Sequence, residues 1–432
     1  MTRLNPPETV LEIAQRLEQE GYEAWCVGGA VRDAILGHPH LDWDLATSAT
    51  PDQVRAIFGK RRTIPVGIQF GTVGVLDREG TLHEVTTFRR DIKTDGRHAE
   101  VEFGASLDED LARRDFTINA IAYSPSRDEL RDPFGGRADL SRRLVRAVGD
   151  ADARMREDRL RALRAIRFAA RFEFDIEEAT LSAVSRSAPE MGRLSAERVK
   201  QELEKTMEQA RRPSRALALW KSTGLLGNVI PQLANVDDST LHALDLLAMP
   251  GLATKPYRTF ARVVVLFVEL GEAGARAALT ALRFSGAETR RATKIAAAWT
   301  SLSAPLGDAL AGAAVVDAEL RRWVATVGRL DLAPFMRVAG ALWQARRRDD
   351  ELLPARLRSL YRRMLRVAQK DPIVIADLAI DGDDLRIAGI PTGPLVGRIL
   401  QALLEAVLED PTRNTRDWLL RYASSVERGA RT

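Results

Sequence analysis

Cysteine is nearly absent from the 432-residue chain: Cys26 stands alone, so an internal disulfide framework is excluded. The five histidines are scattered, and only His38 and His40 stand close together. A structural zinc site needs four nitrogen or sulfur ligands, so any metal is expected to be held by oxygens. Long apolar runs are missing too. The longest, Val263 to Val268, is far short of the ~20 residues of a spanning helix. The opening MTRLNPPETV has no apolar stretch of the kind a secretion signal carries, so a cytoplasmic chain without membrane contact is expected. Lysine is sparse, with eight among 64 basic residues. An arginine-biased genome explains that as simply as selection for forked phosphate contacts. The net charge of +4 is too small to argue by itself for a polyanionic partner.

What remains is an ordinary globular composition, 45% hydrophobic and 29% charged, and a length that suggests about three domains. Strand-like runs at Trp25 to Val27, Gly71 to Leu76, His83 to Phe88 and Ala120 to Tyr123 alternate with short amphipathic helices such as Glu8 to Glu20. That part reads as α+β. From about Arg154 onward alanine, leucine and arginine recur at helical spacing, with breaks expected at Pro189, Pro213, Pro231, the Met249 to Pro256 loop and Pro305. Joints are expected near residues 145, 225 and 350. No fixed-period repeat or low-complexity segment is present.

The stretch WCVGGAVRDAILGHPHLDWDLAT concentrates the chemistry. A strand ends in Gly28-Gly29, a helix begins at once, and Arg32 falls in its first turn. Paired glycines let backbone amides approach phosphate oxygens, and a helix N-terminus adds partial positive charge. Asp42 and Asp44, one residue apart, share one side of an extended strand and can hold Mg²⁺ against a triphosphate. Glu84 in LHEVTTFR is the candidate third carboxylate, because Leu82, Glu84 and Thr86 share a face opposite His83 and Val85. Each piece alone has a plainer reading: a glycine pair as a turn, Asp-x-Asp as a solvated loop, Glu84 as an edge-strand charge facing water.

Four ordered motifs together resemble the bacterial-type tRNA nucleotidyltransferase and poly(A) polymerase family, within the polymerase-β-like nucleotidyltransferases. They are GGAVRD with DWDLAT, RRDFTINAIA at Arg113 to Ala122, DPFGGRADL at Asp132 to Leu140, and EDRLRALRAIRF at Glu157 to Phe168. The resemblance implies a catalytic head over 1–145, a base-recognising helical neck over 146–225, a helical body over 226–350 and a tRNA-binding helical tail over 351–432. It implies Mg²⁺ on Asp42 and Asp44, and contacts to ribose and phosphates from Arg114, Asp115 and Asn119. The fourth motif, through Glu157, Asp158, Arg161, Arg164 and Arg167, is implied to read the incoming base without a template.

Projected as one helix at 100° per residue from Asp158, that motif separates an apolar stripe of Leu160, Leu163, Ile166 and Ala170 from a polar arc. The arc holds Arg154, Glu157, Arg161, Arg164 and Arg171. Asp158 and Arg161 would offer an acceptor and donors to a base edge. Arg167 lies at the border of the stripe, which suits bracing a neighbour. Phe168 projects into the polar arc, which suits packing against the head. Seven arginines face three acids between Ala151 and Arg171, lopsided for a solvated ion-pair surface. For DPFGG the favoured reading is a structural turn.

Family members differ in product, and local sequence bears on which this is. FRRDIKTDGRHAEVEF looks like the intact flexible loop of CCA-adding and A-adding enzymes. The strand PVGIQFGTVGV is similar to the nucleotidyltransferase form, with Phe70 where histidine is commoner. Val268-Glu269 stands where some members carry a metal-binding His-Asp pair, and valine cannot ligate a metal, so His242 reads as an ordinary helix residue and no phosphohydrolase is expected. The segment LAIDGDDLRIAGIPTGPLVGRILQALLEAVLED looks like the tail that grips the tRNA elbow, with a turn at Gly389, Pro391, Gly393 and Pro394. The expectation is addition of C, C and A to tRNA from CTP and ATP. The alternatives are an A-adding enzyme, a poly(A) polymerase and a non-catalytic RNA-binding protein on this scaffold.

Overall fold

The computed structural model describes residues 4–38, 42–94, 99–247 and 255–431, and the chain divides into two compact units, Met1–Ala234 and Asn235–Thr432. The first unit begins with α1 (Glu8–Gln19), β1 (Ala24–Val27), α2 (Gly29–Ile35), β2 (Asp44–Thr47) and α3 (Pro51–Phe58). Five strands follow: β3 (Thr63–Gly67), β4 (Thr72–Leu76), β5 (Leu82–Thr87), β6 (Arg89–Thr94) and β7 (Ala99–Phe103). Then come α4 (Leu107–Ala112), β8 (Ala122–Ser124), β9 (Glu129–Arg131), α5 (Gly136–Arg142) and β10 (Leu144–Val145). The unit closes with α6 (Ala151–Glu157), α7 (Leu160–Phe172), β11 (Asp175–Ile176), α8 (Glu178–Ser187), α9 (Ala196–Gln209), α10 (Pro213–Ser222) and α11 (Leu225–Val229).

Seven strands form one sheet in the order β3-β4-β5-β2-β1-β8-β9. Among the described residues of this sheet only β2 and β5 pair parallel, with Leu45 beside Val85 and Ala46 beside Thr86. One face is covered by α1 and α3, which pack on β1 and on β4 and β5. Val10, Ile13, Ala14 and Leu17 supply the buried stripe of α1, the i, i+3, i+4, i+7 pattern that lets a helix lie flat on a sheet. On the other face Trp25, Val27, Ala46 and Ala122 pack with Phe88, Leu107 and Leu111, so α4 is seated against the middle of the sheet. Its start is fixed by a capping box in which Ser106 and Glu109 satisfy each other's backbone amides.

Three local expectations need correction. PVGIQFGTVGV is two antiparallel strands, β3 and β4, joined by a short 3₁₀ turn at Ile68–Phe70, because Gly71 adopts φ 83° and reverses the chain. The run from Arg89 to Phe103, expected as a loop, holds the antiparallel pair β6 and β7; residues 95–98 lie outside the described residues. The fourth motif is two helices and not one. Asp158 leaves the helical region at φ −148°, ψ 104°, and its Oδ1 accepts the Leu160 amide at 3.0 Å, restarting the chain as α7. The projection from Asp158 therefore holds within α7 and does not carry Arg154 and Glu157 with it.

All the regular structure described in the second unit is helical. It contains α12 (Asp238–Leu246), α13 (Lys255–Phe267), α14 (Gly271–Ala281), α15 (Gly286–Ala311), α16 (Asp317–Val327) and α17 (Leu332–Arg346). It ends with α18 (Leu353–Lys370), α19 (Gly382–Ile387), α20 (Pro394–Glu409) and α21 (Arg416–Arg431). The run Val263 to Val268 is buried core, and no described helix is long and apolar enough to cross a membrane. Pro305, expected to break a helix, lies inside α15. Buried Leu302, Leu306 and Leu310 continue the apolar stripe past it, while Ser301, whose carbonyl loses its partner, is exposed to water. Pro189, Pro213 and Pro231 do stand at helix starts, and the expected tail turn lies between α19 and α20, with Gly389 and Gly393 at positive φ. The Met249 to Pro256 loop lies mostly outside the described residues.

DPFGG is a joint, as its turn chemistry suggests. Asp132 accepts the Gly136 and Arg137 amides at 2.7 and 3.0 Å, capping α5, and a Cβ at Gly136 would overlap the Thr117 carbonyl oxygen and the Ile121 side chain. Backbone cannot swing aside as a flexible side chain can. We expect Gly136→Ala to lower the urea unfolding free energy by about 1–3 kcal/mol; a loss under about 0.5 kcal/mol, the range of an ordinary surface change, would contradict the close approach.

Candidate functional site

An open cleft of about 550 Å³ lies in the first unit. Gly28 and Gly29 form its edge where β1 turns into α2. Gly28 has φ 75°, a conformation that glycine adopts without strain, and a Cβ there would come within 3.1 Å of the Arg114 Nη1. The expected contribution from a helix N-terminus is small, since α2 has only seven residues. Positive charge comes instead from side chains: Arg32, Arg113, Arg114, Arg161, Arg164, Arg167 and Arg171 line the cleft with only Asp33, Asp44, Asp115 and Asp158 against them.

Every cluster of guanidinium groups needs carboxylates to hold it in place, and here they are buried. Asp110, 1% exposed, accepts from Arg113 on Oδ1 at 2.8 Å and from Arg114 on Oδ2 at 3.1 Å. Burial alone would raise its pKa, but the Arg114 and Arg113 charges outweigh it and hold the carboxyl below its usual range. Asp115 takes the Phe116 amide and Asn119 Nδ2 on Oδ1 at 2.8 and 2.9 Å, and Arg164 Nε and Nη2 on Oδ2 at 2.8 and 2.6 Å. Desolvation again pushes up; Arg164, the Asn119 amide and the Phe116 N–H together bring the pKa down to about 2. Arg164 gains in return, its pKa raised by Asp115 and Glu202 despite burial.

Asn119 passes the order on, its Oδ1 accepting from Arg32 Nη1 at 2.5 Å. Arg32 donates to Asp33 at 2.7 Å and lies over the rings of Phe172 and Phe168, at 4.7 and 5.2 Å. Phe168 also carries Arg164 and Arg167 on its faces, at 5.3 and 4.4 Å, and meets Phe116 edge-on. The aromatic ring that projected into a polar arc is thus the floor of the arginine cluster and packs on the head. Arg167 is braced by Glu202 and Gln209 of α9 at 2.7 and 3.1 Å, and burial lowers its pKa.

At the other end of the cleft Arg161 donates to Glu157 at 2.5 Å, to the Arg154 carbonyl at 3.1 Å and to the Arg113 carbonyl at 3.0 Å. Its Nε hydrogen and one Nη2 hydrogen remain for a ligand. Asp158 pairs with Arg198 at 2.7 Å. The two expected base readers are therefore anchored separately and not to each other.

The expected residues all line the cleft except Asp42, Glu84 and Glu157. Glu157 grips Arg154 and Arg161 from behind. Asp42 precedes β2, and the order exposed Asp42, buried Trp43, exposed Asp44 sets both carboxylates on one side, as expected for extended chain. Glu84 is exposed on β5, one residue before Val85, the partner of Leu45, and on the face that carries Asp44. Among the described residues no group of three His, Cys, Asp or Glu side chains stands together as a metal site; Glu84 lies on the strand next to the one that begins at Asp44. His242 joins no such group. Burial, reinforced by the Asp44 charge, pushes the Cys26 thiol up to about 12, which leaves it inert. Sequence reasoning gave no role to Asp33, and it missed that Arg113 and Arg171 line the cleft; the one available signal was that Arg171 follows Arg164 by two helical turns.

The depressed pKa of Asp115 sets a pH dependence. A carboxyl near 3.8 when unfolded and about 2 when folded contributes roughly 2 kcal/mol, present above the unfolded pKa and lost as pH falls through the folded one. Urea midpoints of the intact chain should fall between pH 4 and 2, and Asp115→Asn should be less stable at pH 7 with a shallower fall in that window. An equal fall in both proteins would remove Asp115 as its source.

Comparison with known proteins gives the geometry a context. Family models match three stretches: the poly A polymerase head domain at residues 24–146, a probable RNA and SrmB-binding site of polymerase A at 173–236, and tRNA nucleotidyltransferase domain 2 at 260–423. The CCA-adding enzyme of Geobacillus stearothermophilus is 36% identical over 434 residues, covering 98% of each chain. That of Geobacillus thermodenitrificans is 47% identical over 234 residues, 54% of this chain and 56% of its own. Among solved structures, the Bacillus stearothermophilus CCA-adding enzyme in complex with CTP superposes with TM-score 0.75 at 33% identity over 99% of both chains. The Thermotoga maritima CCA-adding enzyme complexed with tRNA shares the fold, with TM-score 0.67 at 21% identity over 98% of this chain and 97% of its own. With more than a third of its residues shared along the whole length of such a relative, this chain belongs to the CCA-adding enzyme family of nucleotidyltransferases.

Proposed function

We propose that the chain adds C, C and A to tRNA 3′ ends from CTP and ATP without a nucleic-acid template. The observation that carries this reading is the cleft, in which the glycine edge, Asp44, the arginine cluster and the start of α7 converge. The terminal tRNA hydroxyl oxygen attacks the α-phosphorus, the bond to the β-phosphate oxygen breaks, and pyrophosphate leaves. The division into head, neck, body and tail at residues 145, 225 and 350 is part of this proposal.

Asp42 and Asp44 offer hard oxygen donors on one side of the chain, which fits Mg²⁺. When bound, Mg²⁺ would lower the pKa of the attacking hydroxyl and neutralise charge on the leaving phosphates. Glu84, exposed on the neighbouring strand, is the lesser candidate for a third oxygen donor. Arg32, Arg114 and Arg164 hold the triphosphate, already oriented by Asp33, Asp110 and Asp115, so little reorganisation opposes binding. Asp115 and Asn119 act as orienting groups in this arrangement. Arg161 presents its two remaining donors to the acceptor edge of cytosine, while Asp158 accepts from an exocyclic amino group, which cytosine and adenine share and uracil lacks. Arg167 acts at one remove, through the face of Phe168.

Product sequencing with Mg²⁺, CTP and ATP on three tRNA transcripts, ending before CCA, after C and after CC, tests the reading. Completion of CCA on all three is expected. Addition to the CC end alone would make the chain an A-adding enzyme, long A tails a poly(A) polymerase, and tRNA binding without addition a non-catalytic protein. Asp44→Ala should remove at least 99% of addition while tRNA binding persists; substantial residual addition would overturn the metal assignment. Arg161→Ala should narrow the kcat/KM preference for CTP over UTP at least tenfold, and an unchanged preference would overturn base reading by Arg161.

A further inference from the structure

Among the cleft arginines, Arg171 is one that the sequence placed only on the polar arc of the helix, without a role. It lies in the last turn of α7, half-buried, over the ring of Phe172 at 4.7 Å. One of its donors, on Nη2, reaches Asp33 Oδ2 at 3.0 Å. A guanidinium has five N–H donors, so four remain. The contrast with its neighbours is direct: Arg32 is bonded to Asp33 and Asn119 and lies against two rings, Arg164 gives two donors to Asp115, and Arg167 is held by Glu202 and Gln209.

Asp33 is 2% exposed, and its two oxygens face two guanidinium groups, Oδ1 toward Arg32 and Oδ2 toward Arg171. One carboxylate thus holds two cations that repel each other. Burial of Arg32 and repulsion from Arg171 both work against its charged form, and the charge of an anion in the cleft would offset them. The ion pair spans 138 residues of sequence and fixes the end of α7 beside α2.

We infer that Arg171 is a further ligand of the nucleotide triphosphate, and that Asp33 is the positioning residue that holds Arg171 and Arg32 side by side as a two-guanidinium receptor for its phosphate oxygens. This rests on the nucleotidyltransferase reading of the cleft and adds to it a division of labour. Arg171 serves the part of the substrate that CTP and ATP have in common, so it takes no part in base choice.

The test is calorimetric binding of CTP, ATP and CMP to the full-length chain, with steady-state addition alongside. Arg171→Ala should weaken CTP and ATP by a similar factor of at least ten, leave CMP within twofold, and leave the CTP over UTP preference unchanged. Arg171→Lys, which keeps the charge, should recover part of the loss. Asp33→Asn should show the same pattern, raising KM for both nucleotides more than it lowers kcat. CTP binding within twofold of the original in Arg171→Ala would overturn the inference, as would equal weakening of CTP and CMP, which marks a purely structural clasp. If Arg171→Ala unfolds, the Arg171→Lys and Asp33→Asn ratios of CTP to CMP affinity decide alone. Failure of the wider reading looks different: the unaltered chain would then bind CTP no more tightly than CMP.

Discussion

The buried carboxylate of Asp115 is the point from which the arrangement of the cleft is set. Its two oxygens face different parts of the first unit: one holds the Asn119 amide and the Phe116 N–H, the other the Arg164 guanidinium. From Asn119 the order runs to Arg32, from Arg32 to Asp33, and from Asp33 to Arg171 on the helix that carries Arg164. The chain of hydrogen bonds closes on itself through two turns of α7. A closed circuit of this kind resists distortion at any one link, because moving one guanidinium strains partners on both sides. Removing one member of a buried pair leaves the other charge uncompensated, which is the costly case.

Arginine suits this construction better than lysine. Its planar fork can give some donors to an anchoring carboxylate and keep others for a ligand, and its flat face can lie on an aromatic ring. Phe168 and Phe172 provide such faces under Arg32, Arg164, Arg167 and Arg171. A lysine ammonium held by Asp33 or Asp110 would have fewer donors left and no plane to stack. The scarcity of lysine along the chain has a plain compositional explanation, yet at these positions the chemistry would select arginine in any case.

Much of this was legible in the sequence, and what was not has a common cause. The glycine pair, the two aspartates, the α+β head and the apolar stripe of α7 are written in short, local patterns. Phe168 announced itself by standing on the wrong side of its helix. Asp33 carried no such mark: its partner is 138 residues away, and only the folded chain shows that a residue next to Arg32 reaches the end of α7. The break at Asp158 was hidden because the residues on both sides have helical spacing; what interrupts them is one side chain capping its own backbone. Pro305 misled in the opposite sense. Its ring removes a single hydrogen bond, while buried Leu302, Leu306 and Leu310 keep the helix seated, and packing outweighs local preference.

The anchoring of α7 separates its two ends. Arg164 and Arg171 are tied through Asp115 and Asp33, whereas Arg161 is tied to α6 through Glu157 and to the end of α4 through the Arg113 carbonyl, and Asp158 to α9 through Arg198. Ten residues of helix, about 15 Å at the usual rise, lie between Arg161 and Arg171. A triphosphate gripped at the Arg171 end arrives at the Asp158 end with its base, and the pyrimidine or purine must be accommodated there, since the phosphates are the same in both. That end is where the helix is interrupted. Asp158 is extended there, with its N–H on the Arg154 carbonyl and its own carbonyl on the Arg161 amide, so the end of the cleft that must take either base is where the chain turns from α6 into α7 and presents a side chain from the turn itself.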